Sequence, residues 1–173
     1  MIGDRWGVYE AEVRRSYGCD PFVPRPTLEA WRGVTVHAAP ATVWARVRQV
    51  RLAPYSYDLV DNLGRRSPRD RRDVAEPQVG DPFTRALGRD QGRVVAVDPG
   101  REITATIMGA HLSYAVLPHG GDVRLVLKVV ARTRRWLAPA LSVGDLVMAR
   151  KQLLTLKALA EADQRQTGAT SRR

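Results

Sequence analysis

The sequence contains almost no residues that could form disulfide bonds or hold a metal ion. Cys19 is the only cysteine among 173 residues, which excludes an internal disulfide and a cysteine-based zinc cluster. The three histidines, at 37, 111 and 119, show neither the HxH nor the HxxxH spacing of metal ligands. We therefore expect no metal site and no cofactor.

Long hydrophobic runs and nucleotide-binding motifs are also missing. No apolar run reaches about 18 residues, the length of a membrane-spanning helix, and the opening MIGDRWGVYEAEV has no basic-then-apolar leader. No phosphate-binding glycine loop, GxSxG elbow or Rossmann fingerprint occurs. These absences argue against membrane insertion and secretion, so we expect a cytoplasmic protein.

Acidic residues are few relative to basic ones, which gives a formal net charge of +10. The basic residues are scattered along the chain. Their densest cluster, RRSPRDRRD at 65–73, contains two aspartates and no aromatic residue to stack on a base. We interpret it as a solvated loop and expect no specific nucleic-acid partner. The alternative is an anionic partner, such as nucleic acid or a membrane surface, attracted by charge.

The length and the 44% hydrophobic content suit one domain with a single core. We predict an N-terminal extension over 1–30 that packs on the domain, the domain itself over 31–162, and a tail over 163–173. The tail is polar and basic, so we expect it to be disordered.

The first part of the domain is typical of a strand followed by two helices. Residues 31–37 alternate around Val34 and Val36, as a half-buried strand does. Pro40 suits the first turn of a helix, whose apolar residues recur at helical spacing until Pro54 forces a break. Residues 55–63 then predict a second, shorter helix that ends at Gly64.

Beyond Gly80 the pattern becomes strand-like. Successive β-rich runs occupy 82–87, 93–97, 101–108, 112–117 and 122–133, with turn-forming connections between them, the first at 88–92. Such short connections make neighbours antiparallel, since a parallel crossover needs about a dozen residues. The last run alternates, and its predicted inward-facing residues are Val123, Leu125, Leu127, Val129 and Ala131. The pattern does not decide which residues between 101 and 117 face inward.

Pro139 opens a long closing helix that we place at about 139–162. Its apolar residues span an arc of about 200° on a helical wheel, wide enough to be gripped by a curved sheet. The residues in this arc are Val143, Leu146, Val147, Ala149, Leu153, Leu154, Leu156, Ala158 and Ala160. The back of the helix carries Leu141, Met148 and Leu159, and the N-terminal thirty residues are available to cover it.

Arg150 and Lys157 fall inside the apolar arc. A cation there must extend outward along its stem or meet an anion, because burying it unpaired is prohibitive. For Arg150 we favour an internal salt bridge to Asp58 or Asp61, and the alternative is contact with an acidic ligand.

The chain also contains strings typical of one protein superfamily: VTVHAAPATVW at 34–44, YSYDLVDNLG at 55–64, VGDPF at 79–83, VVAVDPGREI at 94–103 and MARKQLLTLKALAE at 148–161. With DRWGVYEAEV and PTLEAWRGV before them, they resemble the SRPBCC (START-like) superfamily, in particular its bacterial polyketide cyclase/dehydrase-like branch. The resemblance implies an α+β helix-grip fold, in which a curved antiparallel sheet wraps around a long C-terminal helix and two short helices follow the first strand. It also implies an interior cavity; pockets for small ligands typically measure about 300–1,000 Å³.

The implied cavity suggests how the protein works. We expect a monomer or weak dimer that binds a small, largely hydrophobic molecule and could also transport it. The residues predicted to line the site are Tyr57, Tyr114, Leu125, Leu127, Arg150 and Leu153. The alternative is a polyketide cyclase/dehydratase-like enzyme with His111 as general base and Asp58 as its orienting partner. A third class is a protein-interaction module that uses the outer face of the sheet.

Overall fold

The computed structural model describes residues 4–53, 55, 69–70, 72–86, 89–133 and 138–170, with the backbone alone for 86, 138–146 and 170. Its strands are β1 (Arg5–Trp6), β2 (Leu28–Val36), β3 (Pro82–Ala86), β4 (Arg89–Asp98), β5 (Glu102–Ile107), β6 (Ala110–His119) and β7 (Asp122–Ala131). Its helices are α1 (Glu10–Arg14), α2 (Pro40–Arg48) and α3 (Ala138–Thr170), with short 3-10 helices at Asp20–Phe22 and Gln49–Arg51.

The strands form one mixed, seven-stranded sheet in the order β1-β2-β7-β6-β5-β4-β3. Strands β3 to β7 form the predicted antiparallel meander, and β2 pairs antiparallel with β7. Strand β1 joins the free edge of β2 and runs parallel to it. The first long strand of the chain therefore lies beside the last.

The predicted connection at 88–92 is wrong, because β4 already begins at Arg89. Gly92 lies within this strand with φ +68°, and a Cβ atom there would stand 2.3 Å from the carbonyl oxygen of Thr106. The glycine therefore permits a close approach of β4 to β5 instead of marking a turn.

Strand β2 begins at Leu28, earlier than predicted, and α2 begins at Pro40 as predicted. Val43 and Val47 of α2 are buried in the main core. The second helix predicted at 55–63 lies outside the described residues, apart from Tyr55.

The sheet has two faces, which we call inner and outer. The inner face is the one against which α3 packs. Strand β7 alternates between them as predicted: Leu125 and Leu127 share the main core with Leu153 of α3, whereas Val126 and Val130 belong to a second cluster on the outer face. The period of two thus places one apolar set under the helix and another on the opposite side.

Helix α3 continues to Thr170, beyond the predicted end at 162, so a disordered tail from 163 is wrong for residues 163–170. Asp163 is buried and accepts hydrogen bonds from Nε and Nη2 of Arg46 in α2, at 2.7 and 2.6 Å. This bidentate ion pair ties the last turns of α3 to α2.

The buried stripe of α3 is narrower than the predicted arc. Leu153 and Leu156 are buried as predicted, whereas Val147, Leu154 and Ala158 are exposed. A helix that packs on one face of a sheet buries only the residues nearest that face, which explains the narrower stripe. The predicted burial of Leu146 lies outside the side chains that are described.

The N-terminal segment, residues 4–27, covers the outer face of the sheet. Tyr17 and Cys19 pack against Val126 and Val130 there. The prediction that the N-terminal residues cover the back of the closing helix is therefore wrong for most of the segment, and Met148 on that back remains 41% exposed.

Charge explains why the segment takes this position. The outer face presents Arg124 and Lys128, both of which are buried. Arg124 donates to the carboxylate of Glu12 from Nε and Nη2, at 2.7 and 2.9 Å. The ammonium of Lys128 lies 2.5 Å from Oδ1 of Asp20. Since buried cations need anionic partners, the acidic residues of the segment hold it against this face.

Candidate functional site

The structure brings together four of the six residues predicted to line a ligand site. Tyr114 on β6 and Leu125 and Leu127 on β7 point to the inner face, and Leu153 of α3 lies in the same buried cluster. Each is at most 3% exposed. The region between the sheet and α3 is therefore strongly apolar.

A buried polar pair interrupts this apolar region. The hydroxyl of Tyr114 donates a hydrogen bond to Oε1 of Gln152 on α3, and both residues are buried. The ring of Phe83 lies beside that of Tyr114, with 6.1 Å between ring centroids and 32° between their planes. The pair therefore links β6 to α3, and aromatic and aliphatic side chains surround it.

Gln152 was not predicted as a site residue, although the sequence contains the pattern that identifies it. The buried residues of α3 recur at helical spacing and are Ala149, Gln152, Leu153, Leu156, Ala160 and Asp163. Gln152 is three residues after Ala149 and four before Leu156, so it lies on the same helix face as these apolar residues.

Tyr55 also belongs to the main core and is 1% exposed. Its φ of +56° lies in the left-handed region, which costs a residue with a side chain about 1–3 kcal/mol. Strained residues of this kind concentrate at binding sites and active sites. The neighbouring candidates Tyr57 and Asp58 lie outside the described residues.

His111 does not reach the interior. It precedes Leu112, which faces inward, so the alternation of β6 places His111 on the outer face. Its ring stacks on Phe22 of the N-terminal segment, with 5.0 Å between centroids and 7° between planes. Partial burial lowers the pKa of its imidazole. The prediction of His111 as a base in the interior cavity is therefore wrong, and the enzyme alternative loses that base.

Arg150 does not line the interior either. It is exposed, and its guanidinium lies 5.2 Å from the ring centre of Trp6 on β1. The predicted inward side chain is thus wrong: Arg150 sits beside the buried stripe and extends to the surface. Its predicted partners, Asp58 and Asp61, are outside the described residues.

Lys157, the other cation of the predicted arc, reaches the rim of the sheet. Its ammonium donates to the carbonyl oxygen of Thr35 at 2.6 Å and lies 2.9 Å from Oε1 of Glu161. Burial alone would raise the pKa of Glu161, but the His37 N–H and the Lys157 ammonium outweigh it and lower that pKa. The Lys157 side chain therefore contacts the end of strand β2 and does not enter the interior.

Within the residues that the structure describes, no group of three or more histidine, cysteine, aspartate or glutamate side chains could hold a metal ion. The described helices also include none that is both long and apolar enough to cross a membrane.

No protein-family model matches the chain, and no curated protein sequence does so. Solved structures do match it. A protein from Rhodobacter sphaeroides is 18% identical and superposes with a TM-score of 0.55 over 79% of this chain and 94% of its own. A protein from Mesorhizobium loti is 12% identical, with a TM-score of 0.53 over 78% of this chain and 97% of its own.

An AHSA1-like protein from Aeromonas hydrophila is 13% identical, with a TM-score of 0.47 over 77% of this chain and 93% of its own. At such identities the likeness of the solved structures concerns the fold alone. The chain has the α+β helix-grip fold, a sheet closed by one long C-terminal helix, that its resemblance to the SRPBCC (START-like) superfamily implied.

Proposed function

We propose that the protein binds a small, largely apolar ligand between α3 and the inner face of the sheet, with a polar group of the ligand at Tyr114 and Gln152. The observation that carries the proposal is the buried hydrogen bond between these two side chains inside an otherwise apolar region. Apolar walls with a few placed polar groups are typical of small-molecule sites.

The polar pair gives the proposed site its specificity. A phenol hydroxyl can donate and accept, and a carboxamide carries both donors and an acceptor. A hydroxyl or carbonyl of the ligand would join or replace the bond between Tyr114 and Gln152. A ligand that broke this bond without offering such a group would leave buried polar atoms with fewer hydrogen bonds, which costs about 1–3 kcal/mol.

The apolar walls provide most of the affinity. Burying about 300 Å² of apolar ligand surface at about 25 cal/mol per Å² contributes roughly 7.5 kcal/mol before losses. Association and the ordering of side chains reduce this gain substantially. We therefore expect micromolar or weaker binding, which suits a carrier that must release its ligand.

Two measurements test the proposal. Native mass spectrometry of the protein purified from its own host should reveal a bound small molecule. Fluorescence titration with N-phenyl-1-naphthylamine, a neutral aromatic probe with one N–H group, should show saturable binding that Tyr114→Phe weakens about threefold to tenfold, since one hydrogen bond contributes about 0.5–1.5 kcal/mol.

Tyr17→Phe is the matched control. The Tyr17 hydroxyl is also buried, and it donates to the carbonyl oxygen of Glu12 at 2.8 Å, but it lies on the outer face. This variant loses the same atom and should bind the probe as the unmodified protein does. Absence of saturable binding, or equal weakening by both variants, would refute a site at Tyr114 and Gln152.

A further inference from the structure

A separate cleft lies on the other side of the sheet, where the turn between β5 and β6 meets the N-terminal segment. It is lined by residues 22–25, Gly109, His111 and Arg132, and its volume is about 420 Å³. This volume lies within the range of about 300–1,000 Å³ that small-molecule sites occupy.

The cleft carries positive charge without compensating acidic residues. Arg25 and Arg132 are both exposed, and no lining residue is acidic. In the part of the chain that the structure describes, neither guanidinium has a carboxylate partner. Guanidinium groups are planar forks that match carboxylates with two parallel hydrogen bonds.

The backbone holds the two arginines at one rim. Thr27 donates from its backbone N–H to the carbonyl oxygen of Ala131 at 3.1 Å. Its hydroxyl donates to the carbonyl oxygen of Thr133 at 2.7 Å and accepts from the Thr133 N–H at 2.8 Å. These bonds lie on both sides of Arg132 and two residues after Arg25, so they hold the two backbone segments that carry the cations next to each other.

An aromatic wall completes the cleft. Phe22 stacks on His111 with nearly parallel rings, and it still has 45% of its surface exposed. Nδ1 of His111 is buried and has no hydrogen-bond partner among the described residues. Desolvation lowers the pKa of this imidazole, which favours its neutral form, so the two stacked rings form the aromatic wall of the cleft.

We propose that this cleft binds a small planar organic anion, an aromatic carboxylate, with the carboxylate at Arg25 and Arg132 and the ring against Phe22. A neighbouring cleft of about 730 Å³ shares both arginines and adds Arg5, but Asp4 and Glu29 also line it. The acidic residues weaken the attraction for an anion there, so the charge pattern favours the Phe22 side.

NMR titration with 2-naphthoate tests the proposal. We expect saturable shifts of the Phe22 and His111 ring signals. Arg132→Gln should weaken binding about tenfold, because it removes a charge-assisted hydrogen bond. Arg101→Gln removes one exposed charge at the turn between β4 and β5, outside the cleft, and should change affinity by less than about twofold. Both positions are exposed, and a thermal melt would verify that each variant folds.

Three comparisons decide the outcome. Neutral 2-naphthalenemethanol should bind at least about tenfold more weakly than 2-naphthoate, since it lacks the charge. Inorganic phosphate should not reproduce the ring shifts, and Tyr114→Phe should leave 2-naphthoate affinity unchanged. The proposal is overturned if phosphate binds equally well, if Arg132→Gln has no effect, or if Tyr114→Phe weakens the titration while the arginine variant does not.

Discussion

The two faces of the sheet are covered by different physical means. On the inner face, α3 contributes apolar side chains such as Leu153 and Leu156, and one polar pair joins helix and sheet. On the outer face, the N-terminal segment is fixed by ion pairs, of which Glu12 with Arg124 is the most buried, at 8% and 5% side-chain exposure.

The difference bears on the ligand binding that we propose for the inner face. Apolar contacts have no direction, so an apolar ligand on the inner face would make contacts of the same kind with its side chains. Ion pairs fix both partners in one geometry, and separating a buried pair leaves a charge without a partner. We therefore expect the inner face to accept the ligand of the proposed function, while buried ion pairs hold the N-terminal segment on the outer face.

The largest expected effect is on the inner face. Leu153→Ala should lower the free energy of unfolding by about 4 kcal/mol, within the range of about 2–5 for buried leucines, because it removes contacts and leaves a cavity. Leu154→Ala is the matched control: this neighbour is 39% exposed and should cost less than about 1 kcal/mol. Urea unfolding measures both, and equal costs would contradict the assigned helix face.

On the outer face, Glu12→Gln should lower the free energy of unfolding by about 3 kcal/mol, since it leaves the buried Arg124 without its anion. Replacing both residues by methionine should restore much of the loss, because the charge is then removed as well. Urea unfolding of the single and double variants tests this. A double variant as unstable as the single one would show that the pair is not what fixes the N-terminal segment.

The reactivity of Cys19 measures whether the N-terminal segment stays packed on the outer face of the sheet. Burial raises the pKa of its thiol to about 12, so almost no thiolate exists at pH 8. Iodoacetamide should therefore label the folded protein at least about 100-fold more slowly than the urea-unfolded chain. Glu12→Gln should accelerate labelling, whereas Leu154→Ala should not. Rapid labelling of the unmodified protein would mean that the segment opens readily.

The smallest expected effect concerns the contact between α3 and strand β1 of the N-terminal segment. Arg150 of α3 lies over Trp6 of β1, and an exposed contact of a cation with an aromatic ring contributes about 0.5–1 kcal/mol. Arg150→Ala should lower the free energy of unfolding by no more than that, and it should leave probe binding unchanged. A large loss of binding would instead support the predicted role of Arg150 at the ligand.

Local patterns in the sequence determined the main elements. Pro40 marked the start of α2, the period of two in β7 separated its inward residues from its outward ones, and helical spacing placed Leu153 and Leu156 in the core. These properties depend on residues close together in the chain, so one sequence is sufficient to predict them.

Tertiary structure decided the surroundings of each element. Glu12 and Arg124 are separated by 112 positions, and no local period connects them, so the position of the N-terminal segment followed only from the folded chain. The side of β6 taken by His111 depended on register, which the alternation between 101 and 117 left open. The end of α3 likewise depended on a distant partner, because a polar tail becomes ordered helix where Asp163 meets Arg46 in a buried ion pair.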